Sequence, residues 1–180
     1  MNESELEKLR FPVGNFSFPE TVGESELRKW IAEIEQLPLH LSTAVKGLND
    51  NQLNTTYRDG GWTLRQVVHH VADSHINAYT RIKLALTENN PTIKTYEEDA
   101  WAKLDDSINL PVEISLSLLN SLHLRWVYLL KKLSAKELEK TVFHPESKRE
   151  MSIKFLISLY AWHSRHHTAH ITSLRRRMNW

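Results

Sequence analysis

Apolar residues return every three or four positions along most of this chain, the period of a helix with one buried face. Leu27, Trp30, Ile31, Ile34, Leu37, Leu41, Val45 and Leu48 form the first stripe and predict a helix over about 24–48. Thr21 followed by Glu24 has the spacing of a capping box ahead of it. Pro38 inside the stripe predicts a kink, because proline lacks an N–H and crowds the preceding turn. A second stripe runs through Leu64, Val67, Val68, Val71, His75, Ala78, Tyr79, Ile82 and Leu86, with Thr63 and Gln66 as its capping box and Asn89-Asn90-Pro91 as its stop. Residues 95–107, TYEEDAWAKLDDS, leave room for a short acidic helix. The third long stripe opens at Pro111 and continues through Leu116, Leu119, Leu122, Trp126, Leu130 and Leu133. A connector follows over about 134–151, with a turn at His144-Pro145, and the last helix runs from Ser152 almost to Trp180.

Ahead of these helices, FPVGNFSFP at 11–19 places Pro and Gly too densely for a helix but offers three Phe for packing, which predicts an ordered arm. Four long amphipathic helices with no convincing alternating strand and no internal repeat predict an all-α four-helix bundle, and the long third connection predicts a topology other than up-down-up-down.

Length and composition narrow the picture further. The 180 residues suit one domain, 1–180, with 41% hydrophobic and 25% charged residues, which are globular values. The chain has no cysteine, so disulfides, Cys-ligated zinc, iron–sulfur clusters and thiol nucleophiles are excluded, and any metal must sit on His and carboxylates. A net charge of +1 draws neither nucleic acid nor anionic membrane. The start MNESELEKLR lacks a signal-peptide core and no apolar run approaches a membrane span, so a soluble cytoplasmic protein is expected. Ten histidines and six tryptophans are the unusual entries in the composition.

Four of the ten histidines fall within YAWHSRHHTAHI at 160–171. Extending the stripe Ile153, Leu156, Tyr160 lands on His163 and His167 before Ile171, Leu174 and Met178 resume it, so two His replace core residues. A pair at i and i+4 stands about 6 Å apart along the axis on one face, close enough for two rings to converge on one ion. Left unsatisfied, each buried imidazole would cost about 1–3 kcal/mol, and a metal removes that cost. His170 lies at the edge of the stripe and His166 farther round. Another ligand is needed, and RQVVHHVADSH at 65–75 offers His69, His70 and His75. Periodicity favours His75, which sits mid-stripe, without deciding among them. His123 borders the third stripe and reads as a packed, hydrogen-bonded histidine. Neither HExxH nor Glu-x-x-His occurs, which excludes the metalloprotease helix and the di-iron bundle.

The stretches PVGNF, YRDGGWTLRQVVHHVADSH, RWVYLL, FHPESKR and YAWHSRHHTAHI together resemble the YfiT branch of the DinB/YfiT-like superfamily, over nearly the whole chain. The resemblance implies a four-helix bundle with one divalent ion, Zn²⁺ or Ni²⁺, held by three His. By position in the motifs the ligands are His70, just before the Val-Ala-Asp step, and His163 with His167. It further implies a cytoplasmic, homodimeric, metal-dependent hydrolase with a small-molecule substrate; a branch linked to bacillithiol S-transfer adds the alternative of a low-molecular-weight thiol cosubstrate.

Three imidazoles leave such an ion an open position, where water is activated or an external thiolate is held. Asp73, three residues beyond His70, is a candidate base or orienting carboxylate and equally a solvated one. Glu97, Glu98 and Asp99 are candidates for the pocket mouth, and Trp62 and Trp162 for its border. The RRRMNW tail reads as cations at a helix C-terminus rather than a nucleic-acid contact. A metal-dependent stress-response binding module without catalysis is the remaining alternative.

Overall fold

The computed structural model describes residues 3–180. A short helix, α1 (Glu3–Arg10), precedes the arm, and α2 (Glu24–Val45) opens the bundle. The box that caps α2 is centred on Gly23 rather than Thr21: the Gly23 N–H donates to the Glu26 carboxylate at 3.1 Å. The helix continues through Pro38 and ends ahead of Gly47, whose φ of +79° suits a residue without a Cβ.

A single turn, α3 (Asp50–Leu53), leads to α4 (Leu64–Thr87). Here the expected box forms, with Thr63 N–H donating to Gln66 Oε1 at 2.9 Å and Gln66 N–H donating to Thr63 Oγ1 at 3.2 Å. The acidic stretch makes two short helices, α5 (Glu98–Trp101) and α6 (Asp105–Asn109), instead of one. Then follow α7 (Val112–Leu130), the short α8 (Ala135–Leu138), and α9 (Ile153–Met178), capped by Ser152 Oγ accepting from the Phe155 N–H.

One feature escaped the hydropathy pattern. Strands β1 (Thr141–His144) and β2 (Arg149–Ser152) pair antiparallel, Val142 opposite Met151. Only Val142 among the eight residues is fully buried, so no alternation marks them. Backbone bonds between Phe143 and residues 91 and 93 tie the hairpin to the segment after α4.

The bundle is made of α2, α4, α7 and α9. α2 and α4 each pack against both α7 and α9, so the first two long helices in sequence lie diagonally opposed. Consecutive helices of an up-down-up-down bundle would be neighbours. Apolar residues form two clusters: one around Ile34, Ile82, Trp126 and Ile157, the other around Leu37, Val68, Leu119 and Ile171. Between them the stripes of α4, α7 and α9 carry His75, His123, His163 and His167, so a layer of imidazoles crosses the interior.

The arm lies along α9. Phe16 and Phe18 both meet Phe155 edge-on, with centroids 5.4 and 5.2 Å away, and Trp162 Nε1–H donates to the Gly14 carbonyl at 3.0 Å. At the C-terminus, Arg175 donates to the carbonyls of Ala44 and Lys46 and Arg177 to that of Tyr57, so two of the three tail arginines tie α9 to the loops. Among the described residues no helix is long and apolar enough to cross a membrane.

Candidate metal centre

Helix α4 turns His70, Ser74 and Arg81 toward α9, which answers with Tyr160, His163 and His167; all six line one cavity of about 500 Å³. One ring nitrogen from each of His70, His163 and His167 falls within 4.8 Å of the others. The ring centroids are 5.4 Å apart for His70 and His163, 4.7 Å for His70 and His167, and 4.3 Å for His163 and His167. Trp62 lies against His70, with centroids 4.5 Å apart, and its indole N–H donates to Asp99 at 3.0 Å.

Burial is the main force on these groups. It pushes the His70 imidazolium down to about 4, with the His170 charge adding to the effect and Asp99 opposing it. Burial first, then neighbouring imidazoles, holds His163 and His167 well below the usual histidine range. All three are therefore neutral at pH 7, the form that ligates metal. Nδ1 of His167 is buried with no hydrogen-bond partner among the described residues, and no carboxylate bonds any of the three rings. A neutral, converging set of nitrogen donors, two buried and His163 half-buried, fits Zn²⁺ or Ni²⁺.

The other sequence candidates separate clearly. His75 is fully buried behind His163, its Nε2 3.1 Å from His163 Nδ1, and does not line the cavity. Its place mid-stripe reflects burial, not access. His69 turns toward α7: Nε2–H donates to the Leu110 carbonyl at 3.0 Å and Nδ1 accepts from Ser115 at 2.8 Å. Asp73 does not line the cavity either. Its carboxyl is pushed up to about 6 by partial burial and by Asp106 of α6, and it is not among the groups that share the cavity with the three His. The carboxylates that do line it are Glu98 and Asp99, not Glu97. Burial raises the Glu98 pKa, with Arg81 opposing.

Ser74 and Arg81 escaped sequence reading, although Ser74 follows His70 by one turn and Arg81 follows Ser74 by two. A second set, His166, His167 and His170, also brings one nitrogen each within 4.8 Å. His166 stacks on Trp162 and His170 on Tyr57, and His170 Nε2–H donates to the Arg10 carbonyl of the arm.

The family model of the DinB superfamily matches residues 33–171, which span α4, α7 and all but the last turns of α9. The chain belongs to the DinB superfamily. Within it, this DinB protein is 58% identical over 175 residues to a Bacillus mycoides (strain KBAB4) protein named "Putative metal-dependent hydrolase", covering 97% of this chain and all of that one. A Bacillus cereus (strain B4264) protein of the same name is 57% identical over the same share of both chains. Among solved structures, YfiT from Bacillus subtilis superposes with a TM-score of 0.94 at 46% identity, covering 96% of this chain and 99% of YfiT. YfiT is described as "a probable metal-dependent hydrolase with an unusual four-helix bundle topology".

Proposed function

We propose that the chain, acting as one domain, is a metal-dependent hydrolase of a small electrophilic substrate, with one Zn²⁺ or Ni²⁺ held by His70, His163 and His167. The reading is carried by the convergence of three neutral imidazoles on a cavity of about 500 Å³ that also presents a carboxylate whose pKa is raised, Glu98. The names of its relatives support it. A divalent ion held by these three His would leave a position for water and would lower its pKa to about 7.

The chain's own groups supply the rest. Glu98 accepts the proton that water gives up and returns it to the leaving group, a role for which a carboxyl pKa raised above its ordinary value is suited. Arg81, which lines the cavity and reaches the Tyr160 hydroxyl, is available to a substrate oxygen there. Trp62 covers His70 and excludes solvent from that side.

The test is turnover of activated esters, amides and an alkyl or aryl halide by metal-loaded protein, with and without bacillithiol or cysteine, beside His163→Ala. Metal-dependent product without thiol is the expected result. Product only with thiol would assign transfer instead, since a chain without cysteine must import its thiolate. Equal rates for wild type and variant in both arms would leave a metal-binding module.

We also propose a homodimer. The arm's Phe16 packs on its own chain and Phe18 only partly so, and the larger surface that supports a second copy is the row of exposed apolar residues on α7, Ile114, Leu118, Leu124 and Tyr128. Leu39 of α2 adjoins Leu124 and Tyr128 there.

A further inference from the structure

Behind the candidate ligands runs a file of imidazoles that the hydrolytic reading leaves without a role. His123 Nδ1 is 2.6 Å from the Ile34 carbonyl oxygen. His123 Nε2 is 3.0 Å from His75 Nδ1, and His75 Nε2 is 3.1 Å from His163 Nδ1. Each member comes from a different helix of the bundle: α2, α7, α4 and α9. His75 is 0% and His123 2% exposed, and no carboxylate takes part in the file.

The direction of every hydrogen bond follows from its far end. A carbonyl oxygen only accepts, so His123 carries its proton on Nδ1 and, as a neutral ring, presents a bare Nε2. A bare nitrogen also only accepts, so the His75 proton is on Nδ1 and its Nε2 is bare. Repeating the step puts the His163 proton on Nδ1 and a lone pair on Nε2. The reverse polarity would set a bare His123 Nδ1 against the carbonyl oxygen at 2.6 Å, lone pair against lone pair. His163 Nε2 is left beside Ser74 Oγ at 3.4 Å, in the cavity wall.

We propose that the Ile34 carbonyl, acting through His123 and His75, holds His163 in the Nδ1–H tautomer and in the ring orientation that presents Nε2 as the metal ligand. This rests on the reading of His70, His163 and His167 as the metal site. A ligating imidazole is ordinarily oriented by a carboxylate or carbonyl in direct contact. Here the carbonyl works at a distance through two neutral rings, which orient the ligand without adding negative charge near the ion. His75 and His123 are positioning residues. The same hydrogen bonds explain why polar rings occupy the middle of apolar stripes: both nitrogens of each ring are satisfied within the core.

Long-range ¹H–¹⁵N NMR on ring-labelled protein, metal-free and zinc-loaded, reports which nitrogen of each ring is protonated. The expected result is Nδ1–H at His123, His75 and His163 in both states, whereas free neutral histidine favours Nε2–H. Zinc titrations of folded variants provide the second readout. His75→Met removes the acceptor, while His75→Gln leaves an amide oxygen near the position of Nε2. Zinc affinity is expected to fall about ten- to a hundredfold in His75→Met and to return to within about threefold of wild type in His75→Gln.

A proton on Nε2 of His75 or His163 in the metal-free wild type would overturn the relay, as would His75→Met binding zinc as tightly as wild type. If His75→Met does not fold, the wild-type tautomers decide alone. Unchanged zinc binding by His163→Ala would instead remove the metal assignment on which the relay's purpose depends, a result separable from a wrong tautomer with normal zinc binding.

Discussion

His163 and His167 stand one turn apart on α9 with ring centroids 4.3 Å apart and planes at 63°, so two ligand-capable rings share one helix and need only a third from α4. Purified protein is expected to bind one divalent ion per chain. His70→Ala, His163→Ala and His167→Ala should each abolish stoichiometric binding by metal analysis, and retention of the ion by His70→Ala would remove α4 from the site in that form. Because burial holds His70 at about 4, proton competition should weaken zinc binding only well below pH 6.5, the value of a free imidazole.

The metal-free protein should lose stability in mild acid. His123 is held at about 4 by burial, with its bond to the Ile34 carbonyl opposing. The unfolded chain binds that proton near pH 6.5 and the folded chain does not, so stability is complete above 6.5 and declines as pH falls toward 4. For this one group the loss amounts to roughly 3 kcal/mol at about 1.4 kcal/mol per pH unit. Denaturant melts at pH 7 and pH 4 measure it, and equal midpoints would contradict it.

On the proposed hydrolytic function, Glu98→Gln should lower the rate of the metal-loaded protein by about 10²–10⁴-fold, the usual contribution of a general base, with metal content unchanged. Asp73→Asn, away from the cavity, should leave the rate close to wild type. The reverse ranking would return the carboxylate role to Asp73.

Light scattering should give a dimer at micromolar concentration, and the pair Leu124→Glu with Tyr128→Glu should give a folded monomer. These side chains are 70% and 71% exposed within one chain, so charge there has little to disturb except a partner. A wild-type monomer would contradict this.

Removing the Trp126 side chain, which is 0% exposed and meets His75, His123 and Tyr160 edge-on, should cost about 3–5 kcal/mol of stability as Trp126→Ala. A loss under about 1 kcal/mol, small for a fully buried aromatic, would mean that the imidazole layer is not packed as described.

Much of the bundle was legible because helix periodicity is local. The stripes of α2, α4, α7 and α9 place them within a few residues, and the Thr63 and Ser152 caps form where side-chain chemistry predicts a start. The hairpin was not legible, since its pairing satisfies backbone groups and only Val142 is fully buried. Nor was the Gly23 cap, where a glycine has no side chain to read.

The histidines divide along the same line. That His163 and His167 share a face is dictated by 3.6 residues per turn, and holds whatever α9 packs against. Whether His70 or His75 faces them depends on how α4 is rotated between α7 and α9, which interlocking side chains from three helices settle together. Stripe position marks depth in the core, and it singled out His75, the ring with no access to the cavity. Family motifs point to His70, but the cavity, the Glu98 carboxylate in its wall and the file from Ile34 to His163 join residues far apart in sequence, Ile34 and His123 alone by 89 positions. Contacts across such distances in sequence arise from packing alone, and only the folded bundle decides them.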